Sequence, residues 1–239
     1  MIGSFLLLLQ VSLGAPEPAA FRHAMVQLDR LLEDRPAMAA GMIDEDPLRA
    51  WALAAFAETA GQRVYWDPTP PPSGVEAQHA WTDRLLVRVA ATHQSGPRRG
   101  KAKGFSDAWA DLVFEIHNAG QLPHYRAAWD QARQHRIDRW TWLERLTRGE
   151  HRALLYTQAF HRTRWRLWMR QRGAAPISYR WSLMLQVPIQ YRAWINRYRD
   201  PNGYPYRDYL GAWTQAFGEG PDPATDPFAL RNGPLPRLD

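Results

Sequence analysis

The feature that most constrains this chain is a helical stripe between Trp140 and Trp168 that carries two ionisable side chains on its apolar face. Leu143, Leu146, Leu154, Trp165 and Trp168 recur at helical spacing, so one side of a long helix must be covered by other parts of the chain. Glu150, Leu154, Thr157 and His161 occupy the i, i+4, i+7 and i+11 positions of that same line. A carboxyl group and an imidazole are stable in such a place only beside each other, beside other polar groups or on a metal ion. The stripe therefore predicts a core and a candidate site together.

The length, 239 residues with 45% hydrophobic, suits one domain with a sizeable core. Cysteine is absent, which excludes disulfides and thiolate metal sites and leaves His, Asp and Glu as the only candidate ligands. Ile2 to Leu13 is a short apolar run, and Ser12 and Gly14 are small residues at the −3 and −1 positions of a cleavage after Gly14. Residues 1–14 thus read as a signal peptide, although no Lys or Arg precedes the run, and the protein as exported, periplasmic or secreted. Residues 15–217 read as a single helical α+β domain, and the Pro- and Gly-rich 218–239 as a tail. No later segment has the length and apolarity of a membrane span.

Helices are predicted over Pro18–Asp34, through Phe21, Met25, Leu28 and Leu32, and after the capping pair Asp46-Pro47. Arg63–Trp66 and Leu85–Ala90 have strand character and predict a small hairpin with a long loop through Asp67–Gly74. The basic, glycine-rich 95–104 reads as a flexible linker. Further helices are expected from Ser106 or Asp107 to Asn118, from Pro123 to about His135, from Asp138 to Gly173 with a kink at Gly149, and over Pro188–Arg199.

Net charge is +6 but unevenly placed: residues 84–199 hold 22 Lys and Arg against 7 Asp and Glu, and the rest holds 8 against 17. That asymmetry, with the interleaved Arg162–Arg172, makes nucleic acid, acidic lipid or another polyanion a candidate partner. Against it, Trp165 and Trp168 are in phase with the inward stripe, which leaves the arginines as a solvated face.

The predicted helix over 105–118 has Trp109, Leu112, Val113 and Ile116 on one side and Phe114 on the other, so both sides are expected to be covered. That would enclose Asp111, Glu115 and Asn118, a second polar line. The run Leu112–Asn118 resembles the active helix of zinc metallopeptidases, with Glu115 in the place of the general base. Phe114 and Asn118 stand where the resemblance needs its two histidine ligands, and Glu150 matches the downstream glutamate that some such enzymes supply. The arrangement is also similar to exported bacterial proteins of unknown function. His117 and His151 lie one or two residues from Glu115 and Glu150, on other helix faces, and cannot chelate with them.

Together these readings predict a mainly α, α+β domain with a small β element near 63–90. Its interior brings Glu115 and Asn118 to Glu150, Thr157 and His161. The leading function is an exported binding or structural module without a demonstrated activity. The alternative is a metal-dependent or carboxylate-based hydrolase with Glu115 as base and Glu150 and His161 as ligands or acid and orienter, and a second alternative is polyanion binding through the arginine-rich helices. Cofactor, substrate and partner are not specified by the sequence.

Overall fold

The structure is a computed structural model that describes residues 18–40, 42, 46–175, 177–197 and 205–218. The predicted signal peptide 1–14 and the tail 219–239 lie outside the described residues. The chain is mainly helical: α1 (Pro18–Asp34), α2 (Pro36–Ala39) and α3 (Pro47–Ala57) precede β1 (Val64–Trp66), β2 (Ala77–Trp81) and β3 (Leu85–Val89). Then follow α4 (Phe105–Ala119), α5 (Leu122–Arg133), α6 (Arg139–Phe160), a π turn over His161–Trp165, α7 (Arg166–Gln171), α8 (Tyr179–Leu185), α9 (Tyr191–Arg197) and α10 (Tyr206–Phe217). Among the described residues no helix is long and apolar enough to cross a membrane.

The sheet corrects the expected hairpin. Its three strands lie in the order β1-β3-β2; Val64–Trp66 pairs with Leu85–Val87 in parallel, and the hairpin partner of β3 is β2. The sequence reading passed over β2 because Ala77-Gln-His-Ala80 has weak strand character. Thr82-Asp83-Arg84 closes the hairpin between Trp81 and Leu85 as a three-residue loop.

Both outer strands would expose unpaired backbone groups, and helices cover each edge with side chains. On β1, the Trp66 N–H donates to Gln27 Oε1 at 3.0 Å and His23 Nε2 meets the Val64 carbonyl at 2.8 Å, both from α1. This turns α1 so that Ala24, Gln27, Leu28 and Leu31 are buried, while Phe21 and Met25, expected inside, are exposed. On β2, the His79 N–H donates to Glu115 of α4.

Helix α4 is central, as its two-sided pattern implies: Trp109, Leu112 and Val113 are fully buried, and so are Asp111, Glu115 and Asn118 on the polar line. It packs on both β2 and α6. Its N-cap is Gly104 rather than Ser106 or Asp107, because the Asp107 carboxylate is engaged by Arg180 and His93 instead.

Asp46 caps α3 through Leu48 N–H at 2.8 Å and pairs with Arg172, and Asp138 caps α6 through Thr141 N–H at 2.7 Å. Helix α6 runs through Gly149 without a break. A β-carbon on Gly149 would lie 2.5 Å from the Tyr125 ring, so glycine here admits the close approach of α5. The irregularity falls later, at the π turn. Thr147, His151 and Gln158 hold the segment after α7 to this helix: Thr147 Oγ1 meets Tyr191 Oη at 2.7 Å, His151 Nε2 the Pro188 carbonyl at 2.8 Å, and Gln158 Nε2 donates to the Met184 and Val187 carbonyls.

The 95–104 stretch is ordered rather than a linker. The backbone N–H groups of His93, Gly100 and Lys103 donate to the carbonyls of Lys101, His93 and Ala91 respectively, and Lys103 is buried.

Candidate functional site

The polar line of α4 divides into two environments. At its N-terminal end, Asp107 and Asp111 enter a buried ionic network. Lys103 Nζ lies 2.6 Å from Asp111 Oδ2 and 2.9 Å from Glu76 Oε2. Arg180 Nε donates to Asp111 Oδ1 at 2.6 Å, and its backbone N–H to Asp107 Oδ1 at 2.8 Å. His93 and the half-exposed Arg98 approach Asp107 at 3.3 and 3.4 Å. Burial alone would raise Glu76, but the Lys103 hydrogen bond and the charges of Arg180 and Lys103 bring it below the usual carboxylate range. Burial also acts against the Arg180 charge, and Asp111 and Glu76 overcome it. Each acid here has a cation, which is the condition for tolerating buried charge.

One turn further on, the compensation stops. Glu115 Oε2 accepts from the His79 backbone N–H at 3.0 Å and meets His79 Nδ1 at 2.9 Å. The Tyr125 ring lies parallel to the His79 ring at 6.2 Å, and its hydroxyl donates to Asn118 Oδ1. From α6, Glu150 comes in with no exposed surface at all. Tyr209 of α10 donates to Glu150 Oε2 at 2.8 Å, while Glu150 Oε1 is buried without a hydrogen-bond partner among the described residues.

Burial pushes Glu150 up to about 8; the Tyr209 hydrogen bond works against this, and the charges of Glu115 and Asp208 reinforce it. Tyr125 and Tyr209 are likewise raised, by burial first and then by Glu150 and Glu115. Arg152 acts on Tyr125 in the opposite sense, but its guanidinium is committed to Gln121 and His124, at 3.4 and 2.8 Å. At neutral pH Glu150 is therefore a neutral acid. Because Tyr209 donates to Oε2, the acid proton belongs on Oε1, where it has no acceptor among the described residues.

The single cluster expected from the sequence is thus three separate ones. Glu115, Asn118 and Glu150 belong to the first, with His79, Tyr125 and Tyr209. Thr157 belongs to a second: its hydroxyl meets His117 Nδ1 at 3.0 Å and donates to the Ala153 carbonyl. His117 sits among Trp51, Tyr156 and Phe160, and burial pulls it down to about 4.

His161 forms the third, buried with its ring 4.9 Å from Trp181. It shares the helical line with Glu150 but lies eleven residues away, roughly 16 Å at the helical rise. A shared face does not bring two groups together when three turns separate them. Glu115, Glu150 and His161 therefore do not converge as a ligand set, and among the described residues no three His, Asp or Glu side chains are grouped to hold a metal ion.

His79 and Tyr125 were missing from the sequence reading, and Tyr209 was not among its site residues. The turn residues just before β3 marked the hairpin that carries His79. Tyr209, Trp213 and Phe217 recur at i, i+4 and i+8 and marked α10, whose aromatic face packs on Trp142 and Trp129.

No family model matches this chain, and neither a curated protein nor a solved structure is significantly similar to it.

Proposed function

We propose that the protein is an exported binding domain for a small, positively charged ligand, and that its recognition site is the interior acid pair Glu115 and Glu150 with His79, Tyr125 and Tyr209. The carrying observation is Glu150: wholly buried, with Tyr209 on one carboxyl oxygen and, among the described residues, no partner on the other. A structural pin needs no ionisable group at this place, since a glutamine of the same shape would take the Tyr209 hydrogen bond. An unmet polar group of this kind costs about 1–3 kcal/mol. A cationic ligand would relieve that cost, displacing the proton and pairing with the carboxylate against the faces of aromatic rings. Tyr209, lying over Oε2, is the side chain such a ligand would have to move. Export rests on the apolar run and small residues of 1–14.

The test is calorimetric titration with a series of alkylammonium and alkyldiammonium ions at pH 7 in two buffers of different protonation enthalpy. Binding with release of close to one proton per site is expected, and both are lost in Glu150→Gln. No binding by any member, with Glu150→Gln melting like the parent protein at pH 7, would return the cluster to a purely structural role.

A second reading, hydrolysis, draws support from the raised acid Glu150 beside a carboxylate, Glu115, that is hydrogen-bonded to an imidazole, because an acid next to an oriented base suits proton transfer. The resemblance of Leu112–Asn118 to the metallopeptidase helix points the same way. The hydrogen bonds reassign the roles: with Oε2 engaged twice by His79, Glu115 is the orienting group, His79 the base and Glu150 the acid. Turnover of chromogenic ester, glycoside or peptide substrates, lost in His79→Gln, is the outcome that would favour this reading over binding.

A further inference from the structure

From residue 151 to residue 199 the sequence contains ten arginines and no Asp, Glu or Lys. The structure sorts these arginines. Arg172 pairs with Asp46, and Arg180 with Asp111 and Glu76, so both reach back to acids elsewhere in the chain. Arg162, Arg164, Arg166 and Arg170 are exposed on the π turn and α7, and among the described residues no carboxylate lies within ion-pair distance of any of them. Arg162 makes only a 3.5 Å contact with Gln158.

Three of the four, Arg162, Arg166 and Arg170, follow at spacings of four. Like charges at that spacing repel, and successive members stand about 6 Å apart along the axis, within the screening length of physiological salt. The inner side of the same segment is fixed, with His161, Trp165, Trp168 and Met169 buried. The cationic side therefore cannot roll away from solvent. Leu167 stands in the middle of it, half exposed, and Ile177 just beyond α7 is equally exposed.

We propose that this face docks on an anionic phospholipid surface. Guanidinium forks match phosphate oxygens in a bidentate geometry, and Leu167 suits the boundary between headgroups and acyl chains. An exposed leucine among the cations favours lipid over nucleic acid, whose phosphates offer it nothing. The docking is shallow: the tryptophans that an inserting helix would present are already used in the protein core. Attraction of about fivefold in affinity per arginine near such a surface gives a several-hundredfold preference for acidic over neutral vesicles.

The experiment is co-sedimentation of the full chain with vesicles of phosphatidylcholine alone and with about one third phosphatidylserine, at low and high salt. The proposal expects binding to the acidic vesicles that weakens with salt, falls roughly 25-fold in Arg166→Gln/Arg170→Gln, and falls again in Leu167→Ser. Both variants lie on the surface, and an unchanged melting temperature confirms that the fold is intact. Equal binding to neutral vesicles would make an apolar segment such as 2–13 the anchor and overturn the proposal. So would undiminished binding by the arginine variant. Binding of a duplex DNA that is lost in the arginine variant but unaffected by Leu167→Ser, without vesicle binding, would assign the face to nucleic acid instead.

Discussion

The two ends of α4 solve the same problem in opposite ways. At its start, Asp107 and Asp111 sit among Lys103, Arg180, His93 and Arg98, and every charge has a counter-charge within hydrogen-bonding or near-contact distance. One turn after Asp111, Glu115 has an imidazole and, among the described residues, Glu150 has only a phenol. The first end surrounds its acids with cations; the second buries Glu150 with no cation paired to it among the described residues. Burial is similar at both ends, so the difference comes from partners. A compensated network resists change in pH and breaks when a member is removed, whereas an uncompensated acid tolerates a neutral replacement and responds to pH.

The largest expected effect tests the compensated end. Asp111→Ala leaves Glu76 alone to balance both Lys103 and Arg180, and the buried charge that is then uncompensated costs about 3–5 kcal/mol. The melting temperature of a chain this size should fall by roughly 10 °C or more, and the loss should persist across neutral pH. A shift of a degree or two would mean that the network is open to water and that the contrast between the two ends is false.

The second prediction concerns pH. Glu150 is raised from 4.5 to about 8 on folding, so the folded state holds its proton more tightly. Its contribution is fully present below pH 4.5 and is lost as pH rises through 8. His117 is lowered from 6.5 to about 4 by burial, and His151 is lowered too, so their contribution is present above 6.5 and lost on acidification. The histidines offset Glu150 below pH 6.5; above it Glu150 acts alone. Between pH 6.5 and 8 stability should therefore fall by about 2 kcal/mol, at roughly 1.4 kcal/mol per unit of pH. Chemical denaturation across that range checks this, and in Glu150→Gln the alkaline decline should vanish, so that the variant's advantage over the parent grows from pH 6.5 to 8. A parallel decline in the variant would show that Glu150 is already ionised in the folded protein.

Both ends were partly legible in the sequence, and the limit is physical. Helical phase placed Asp111, Glu115, Asn118, Glu150, Thr157 and His161 in the interior, and all six are buried. Phase reports direction from the helix axis and nothing about position along it, which is how Glu150 and His161 came to be assigned to one cluster. Partners are chosen by tertiary packing: His79 lies 36 residues from Glu115, and Tyr209 lies 59 from Glu150. The compensated network was read as a linker because Gly96, Gly100 and Gly104 resemble those of a flexible loop. Its order comes from Lys103, anchored in acids that follow it in the chain or precede it by 27 residues.

The third prediction uses Gly149, beside Glu150. In Gly149→Ala the new methyl would overlap the Tyr125 ring, with its nearest atom at 2.5 Å, so the ring must swing away from Asn118 and from the stacked His79. Overpacking of this kind costs about 1–3 kcal/mol. It should also disturb the imidazole resonances of His79, which places the readout inside the acid site. A kinked α6 would instead predict stabilisation by alanine, the better helix former.

The smallest effect separates the phenol's two roles. Tyr209→Phe removes the only side-chain hydrogen bond to Glu150 among the described residues and leaves its ring to pack on Trp142, 6.3 Å away. A lost hydrogen bond of this kind costs about 1 kcal/mol. Because that bond favours the ionised carboxylate, its removal should move Glu150 further upward. The decline in stability above pH 6.5 should then start from a lower value and extend to higher pH. If Tyr209 serves only to pack α10 on α6, the variant will be slightly less stable at every pH and the profile will keep its shape. If it governs access to Glu150, the ammonium series that binds the parent protein should bind the phenylalanine variant faster, since the barrier to opening loses a hydrogen bond while the charged partner of the ligand is untouched.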